Sequence, residues 1–134
     1  MNILVIDAQG GGVGKALVSA IRQSVPGAVI TAVGANSAAT AAMRKAGADN
    51  AATGENAVVV GCRKADVIAG PIGIVIADAL FGEITPAMAL AVAQSPAKRV
   101  LLPLNRCDNI IVGVSEHSLG GLVQEAVDTI SRMA

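Results

Sequence analysis

The sequence of 134 residues is poor in aromatic residues, with no Trp, no Tyr and a single Phe. Proteins that bind single-stranded nucleic acids commonly stack bases on aromatic side chains, and this chain lacks such a platform. It also lacks an excess of either charge, because 10 Lys and Arg residues balance 10 Asp and Glu residues. Binding to DNA or RNA relies on a basic surface, so we predict no nucleic-acid partner.

Cysteine and histidine are also scarce, since Cys62, Cys107 and His117 are the only examples. Two distant cysteines and one histidine make neither a disulfide framework nor a zinc site, so we predict no bound metal. The apolar stretch between Asp66 and Asp78 is eleven residues long, whereas a membrane-spanning helix needs about 20. No basic segment precedes the first apolar run, so no signal peptide is predicted. We expect a cytoplasmic protein with no membrane partner.

Short β-branched runs alternate with longer segments of helical periodicity along the chain. The first run, Ile3–Ile6, is continuously apolar, as expected for a central parallel strand covered on both faces. This alternation predicts an α/β fold, a single Rossmann-like domain over residues 1–134, with a mostly parallel twisted sheet of about six strands flanked by helices. Right-handed crossovers predict the strand order 3-2-1-4-5-6, with Ile110–Val114 as an antiparallel sixth strand.

The segment after the fourth strand is locally ambiguous. Ile72–Phe81 has a strand-like composition, but we predict a helix there because a parallel neighbour needs a crossover. Thr85 and Pro86 then begin a further helix, as an N-cap followed by Pro at the first helical position. Since Ile72–Phe81 has almost no polar face, a helix there must be covered on more than one side. We therefore predict a homo-oligomer with this helix, or the one that begins at Pro86, at the interface.

A cluster of glycines follows the first strand, where the turn leads into a helix. It is not a P-loop, because Gln9 and Ala16 stand where that motif has Gly and Ser or Thr. Its spacing resembles the nucleotide-binding turn of short-chain dehydrogenases, although the catalytic Tyr of that family is absent. Bare N–H groups at a helix start bind phosphate; the alternative is a tight turn without a ligand. The predicted phosphate-binding residues are Gly10, Gly11, Gly12, Gly14 and Lys15.

The remaining predicted site residues follow other strands, because ligands of open α/β sheets bind at the carboxyl ends of the strands. Asn36 and Ser37 follow the second strand, where enzymes that bind NAD usually have a carboxylate. Their neutral side chains favour NADP first and NAD second as the cofactor, with Asn36 and Ser37 on the ribose side. The opposite wall is predicted from Gly70, Pro71 and Asn105. Arg106 and Cys107 are the candidate catalytic residues, as a guanidinium beside a thiol.

Several segments together resemble a small bacterial family known only as a domain of unknown function. They are VIDAQGGGVGK, GANSAATAAMRKAGA, ATGENAVVV, DVIAGPIGIVIAD, FGEITP and LLPLNRC. The resemblance extends over nearly all residues from Ile3 to Val114. It implies a bacterial cytoplasmic protein that is complete at this length, and it implies no chemistry.

Three functions remain open from the sequence. The first is a protein that binds a nucleotide or dinucleotide at the glycine-rich loop, and if it is an enzyme, an oxidoreductase completed across a subunit interface. The second is a sensor or binding module for a small phosphorylated metabolite. The third is a structural or interaction subunit whose glycine cluster binds nothing.

Overall fold

The computed structural model describes residues 1–104, 108–114 and 118–134. Strands and helices alternate along these residues, and one short 3-10 helix, Ile72–Val75, follows the fourth strand. In chain order the elements are β1 (Asn2–Asp7), α1 (Gly12–Ser24), β2 (Val29–Gly34), α2 (Ser37–Lys45), β3 (Asn50–Thr53), α3 (Glu55–Lys64), β4 (Val67–Pro71), α4 (Pro86–Gln94), β5 (Lys98–Leu102) and α5 (Leu119–Ser131).

The five strands form one parallel sheet in the order β3-β2-β1-β4-β5. The central strand β1 is buried on both faces from Ile3 onward, which explains its continuous apolar run. Helices α1, α2 and α5 contribute to the core on one face, and α3 and α4 to the core on the other. The predicted α/β, Rossmann-like fold with a parallel sheet flanked by helices is confirmed.

The strand register brings three turns to the same edge of the sheet. Asp7, the last residue of β1, pairs with Gly34, and Gly34 pairs with Thr53 at the end of β3. The turns that follow β1, β2 and β3 therefore leave the sheet side by side at its carboxyl edge. This edge is where open α/β sheets bind ligands.

The predicted sixth strand is wrong. Within the described residues the sheet has five strands, and Ile110–Val114 contributes to none of them. The backbone turns there instead, because the Val114 N–H donates to the Ile111 carbonyl oxygen at 3.3 Å and Gly113 has a φ of 88°. Among the described strands, β5 is therefore an edge of the sheet.

The predicted helix over Ile72–Phe81 is also wrong. A single 3-10 turn, Ile72–Val75, is followed by the segment 76–85, which we call the 76–85 turn. An α-helix cannot continue here, because Asp78, Leu80 and Phe81 have φ values of 66°, 57° and 57°. The crossover from β4 to β5 is made by α4 instead. No helix in the described part of the chain is long and apolar enough to cross a membrane.

Candidate functional site

The glycine-rich turn, residues 8–14, joins β1 to α1 at the carboxyl edge of the sheet. Gly11 caps α1 with a φ of 75°, its N–H donates to the Ala8 carbonyl oxygen, and its own carbonyl oxygen accepts from the Lys15 N–H. A Cβ on Gly11 would stand 2.9 Å from the Cα of Ala39 on α2. The turn is therefore tight for a structural reason, since α2 packs directly against it.

Asp7 places a buried carboxylate beneath this turn. Its side chain is only 4% exposed, and its two oxygens accept from the N–H of Ala8 at 2.8 Å and of Gly14 at 2.6 Å. Burial raises the pKa of Asp7, and the carboxylate of Glu83 raises it further, while the donated N–H groups lower it in part. The carboxylate of Asp7 therefore already occupies part of the anion-binding site at the start of α1.

Glu83, in the 76–85 turn, connects that turn to the glycine-rich turn. One of its oxygens accepts from the N–H of Gln9 at 2.9 Å, and the other accepts from the side-chain amide of Asn36. Asn36 also donates to the Gln9 carbonyl oxygen at 3.0 Å and caps α2 by accepting from the Ala39 N–H at 2.9 Å. Asn36 therefore lies at the predicted site, but both of its amide hydrogens are already used. They connect the turn after β2 to the glycine-rich turn and to the 76–85 turn.

The outer side of the glycine-rich turn remains open. Gly10 and Gly12 are exposed, and a Cβ on either would meet no atom within 4 Å. Among the described residues, their backbone N–H groups have no hydrogen-bond partner. Lys15, on the first turn of α1, is exposed and forms no ion pair within that same part of the chain. Two free donors and one cation therefore lie next to each other at the start of α1.

The other predicted residues are placed less favourably for contact with a ligand. Gly14 is buried under α2, where a Cβ would meet the sulfur of Met43 at 2.5 Å. Ser37 is exposed at the start of α2. Gly70 and Pro71 are buried in β4, and a Cβ on Gly70 would stand 2.4 Å from the carbonyl oxygen of Ile6. The glycine of β4 is therefore required by strand packing.

The candidate catalytic residues Arg106 and Cys107, the wall residue Asn105 and the single histidine His117 lie outside the described residues. Their roles stay predictions. The other cysteine, Cys62, is buried on α3, and its burial raises the pKa of the thiol to about 11. A thiol with such a pKa is not a nucleophile near neutral pH.

Sequence reasoning missed Asp7, Gln9 and Glu83. Asp7 had a visible signal, because a lone carboxylate between an apolar strand and a glycine cluster has few roles other than capping the next helix. Glu83 had none, because its approach to Gln9 depends on the left-handed backbone of the 76–85 turn. The helix predicted over Ile72–Phe81 covered the first part of that turn and ended before Glu83.

Comparison with known proteins gives a family and a fold. A family model described as a domain of unknown function, DUF3842, matches residues 2–134. Among solved structures, the chain is similar to a dodecameric FMN-dependent Ubix-like decarboxylase from Escherichia coli O157:H7. The identity is 16%, with 98% of this chain and 93% of that chain covered and a TM-score of 0.44. No curated protein matches the chain.

The predicted cofactors, NADP and NAD, are contradicted, because the decarboxylase reported above is described as FMN-dependent. The site offers a physical reason against NADP in particular. NADP was favoured because no carboxylate follows β2, yet Glu83 brings one to that position from another turn. A 2′-phosphate beside Asn36 would lie close to the carboxylate of Glu83, and two negative charges in contact repel each other.

Proposed function

We propose a function from the site itself, because the chain belongs to the DUF3842 family, a domain of unknown function. The protein is a binding module for a small phosphate monoester that carries hydroxyl groups. The phosphate binds to the backbone N–H groups of Gly10 and Gly12, next to the ammonium group of Lys15. The hydroxyl groups of the ligand bind to the carboxylate of Glu83.

The observation that carries this proposal is the pair of free N–H groups at the positive end of α1. Backbone donors and the helix dipole both favour an anion there. Asp7 and Glu83 already accept from Ala8, Gln9 and Gly14. Val13 also donates to Asp7 and Gly11 donates to the Ala8 carbonyl oxygen, so the N–H groups of Gly10 and Gly12 remain. Two donors and one cation suit a single phosphate group better than a pyrophosphate.

Glu83 supports the second half of the proposal. A carboxylate has about four acceptor positions, and Glu83 uses one on the Gln9 N–H and one on the Asn36 amide. The free positions accept hydroxyl groups but repel a second phosphate. A sugar phosphate or a nucleoside monophosphate has this combination of one anionic and one hydroxylated end.

The first experiment maps binding by NMR. Inorganic phosphate, ribose 5-phosphate, AMP and FMN are titrated separately into the ¹⁵N-labelled protein, with unphosphorylated ribose as the control. We expect the amide signals of Gly10 and Gly12 to shift with the phosphorylated probes and not with ribose. If none of these probes moves the two signals at millimolar concentration, the proposal is wrong and the interaction-subunit interpretation gains.

A matched pair of variants then tests the site. Gly12→Val places a branched side chain over the free donors, and we expect at least a tenfold loss of affinity for the best probe. Gly120→Val is the control, because Gly120 lies in the first turn of α5 and a Cβ there also meets no atom within 4 Å. Equal binding by both variants would contradict a site at the glycine-rich turn.

A further inference from the structure

Helix α4 presents an uncharged surface. No charged residue occurs between Glu83 and Lys98, although Ala87, Leu90 and Gln94 on this helix are exposed and Leu90 is 55% exposed. On the other face of the sheet, α5 carries the exposed residues Glu125 and Asp128. A helix whose outward side is as apolar as its inward side is normally covered.

The uncharged surface continues into a groove between α3 and α4. This groove, of about 390 Å³, is lined by both helices and the start of the loop to β5. We call it the α3–α4 groove; its apolar lining comes from Val59, Ala87, Leu90, Ala91 and Pro96. The exposed side chain of Leu90 forms a ridge beside the groove. When an identical copy is turned by 180°, the Leu90 ridge of each copy can enter the groove of the other copy.

The charges at the two ends of α3, which borders the groove, are opposite. Glu55 lies at the start of α3 and accepts from the hydroxyl of Thr85, the N-cap of α4, at 2.6 Å. Arg63 and Lys64 lie in the last turn of α3, and Arg63 lines the groove. Glu55 lies one turn before Val59, the first residue of α3 that lines the groove, so helix α3 has an acidic end outside the groove and a basic end at it. A two-fold axis across its middle would place each acidic end on the basic end of the other copy.

We propose that a second copy of this chain covers the α3–α4 groove in a two-fold symmetric dimer. Leu90 of each copy enters the groove of the other, and Glu55 pairs with the partner subunit's Arg63. The antiparallel arrangement also brings the positive start of each helix near the negative end of its counterpart. This proposal is independent of the ligand proposed above, because Leu90, Glu55 and Arg63 are not among the residues proposed to bind that ligand.

The size of the surface sets the expected strength of the dimer. Nine residues of α4 extend over about 14 Å, and two helices side by side are about 20 Å wide. Such a patch covers roughly 280 Å² on each partner, about a third of the 800 Å² that each side of a stable interface buries. We therefore expect a weak dimer, with a dissociation constant of about 100 µM and a mass that rises with protein concentration.

Sedimentation or light scattering over about 10 µM to 1 mM, a range that brackets this affinity, tests the proposal. The wild type should change from monomer to dimer, and Leu90→Lys should remain a monomer throughout with an unchanged circular dichroism spectrum. Val112→Lys is the matched control, because Val112 is 93% exposed and lies outside the groove; it should dimerise like the wild type. A wild type that stays monomeric, or a dimer that Leu90→Lys leaves intact, would overturn the proposal.

A charge exchange tests the orientation. Glu55→Lys alone and Arg63→Glu alone should each weaken the dimer about tenfold, because the symmetry repeats each repulsive contact twice. The double variant should return to within about threefold of the wild type, since both pairs become attractive again. Any loss of α3 stability would persist in the double variant, so its recovery reports pairing between subunits. A double variant as weak as either single variant would refute the two-fold arrangement.

Discussion

Two turns meet at the carboxyl edge of the sheet, and they differ in how many non-glycine residues they hold in the left-handed region. The glycine-rich turn has one non-glycine residue in the left-handed region, Gln9 with a φ of 52°. Its helix cap is Gly11, where the left-handed backbone is free of steric cost. The 76–85 turn has four residues in the left-handed region, and three of them, Asp78, Leu80 and Phe81, are not glycine. This conformation costs about 1 to 2 kcal/mol for a residue such as Leu or Phe. Glu83 joins the two turns at Gln9. The comparison indicates that the strained turn is held by its own packing.

The largest expected effect comes from the packing of Leu80, which is 4% exposed. Leu80→Ala keeps the strained backbone but removes a buried side chain, so we expect a loss of about 3 kcal/mol in the free energy of unfolding. Chemical denaturation measures it. Phe81→Ala is the matched control, because Phe81 has the same φ but is 98% exposed, and it should change stability little. Similar losses in both variants would show that packing does not hold the turn.

The second effect is a pH dependence that arises from Asp7. Its pKa in the folded protein is raised above the ordinary 3.8, so the folded state holds this proton more tightly than the unfolded chain. The resulting stabilisation is fully present below pH 3.8 and is lost as the pH rises through the raised pKa. Unfolding of the wild type relative to Asp7→Asn should show this loss, with a slope of at most about 1.4 kcal/mol per pH unit.

The exposed carboxyl of Asp49 works in the opposite direction, because its bond to Arg22 lowers its pKa. Its stabilisation is present at neutral pH and is lost as the pH falls. Asp49 is present in both the wild type and Asp7→Asn, so its contribution cancels when the two free energies of unfolding are subtracted. Parallel stability profiles for the wild type and Asp7→Asn would contradict the raised pKa of Asp7.

A smaller effect tests the contact between the two turns. Glu83→Gln removes the charge that accepts from Gln9 and Asn36, and we expect a loss of about 1 kcal/mol because the contact is partly exposed. The same variant should move the pH transition of Asp7 to lower pH, since it removes a repelling carboxylate. Glu125→Gln, an exposed carboxylate on α5, is the control and should leave both quantities unchanged. If the pH transition of Asp7 is unaltered in Glu83→Gln, the carboxylate of Glu83 does not raise the pKa of Asp7 and the prediction is wrong.

The smallest effect has the opposite sign. Phe81→Asn should stabilise the protein by about 0.5 kcal/mol, because Asn adopts the left-handed backbone more readily than Phe and the exposed ring loses little packing. The melting temperature and the denaturation midpoint measure this gain. If Phe81→Asn is destabilising while Phe81→Ala is neutral, the exposed ring contributes contacts that the strain argument omits.

Local sequence patterns were sufficient to predict most of the sheet and the start of one helix. The apolar run Ile3–Ile6 predicted the central strand, and Thr85 with Pro86 predicted the start of α4. The segment Ile72–Phe81 failed, because its residues favour regular structure locally and only tertiary packing holds Leu80 and Phe81 in the left-handed region. Glu83 was missed for the same reason, since contacts across 74 residues, such as Glu83 to Gln9, leave no local pattern.

The central position of β1 has a consequence for the order in which the chain folds. Ile3 pairs with Ile30 on one side and with Val67 on the other, so the second partner is more than twice as distant along the chain. Doubling a closed loop adds about 0.6 kcal/mol of entropic cost, and distant contacts slow folding. The unit from β1 to β3 should therefore form a nucleus before β4 docks against it. Early folding would then assemble the glycine-rich turn, and Glu83 would reach it last.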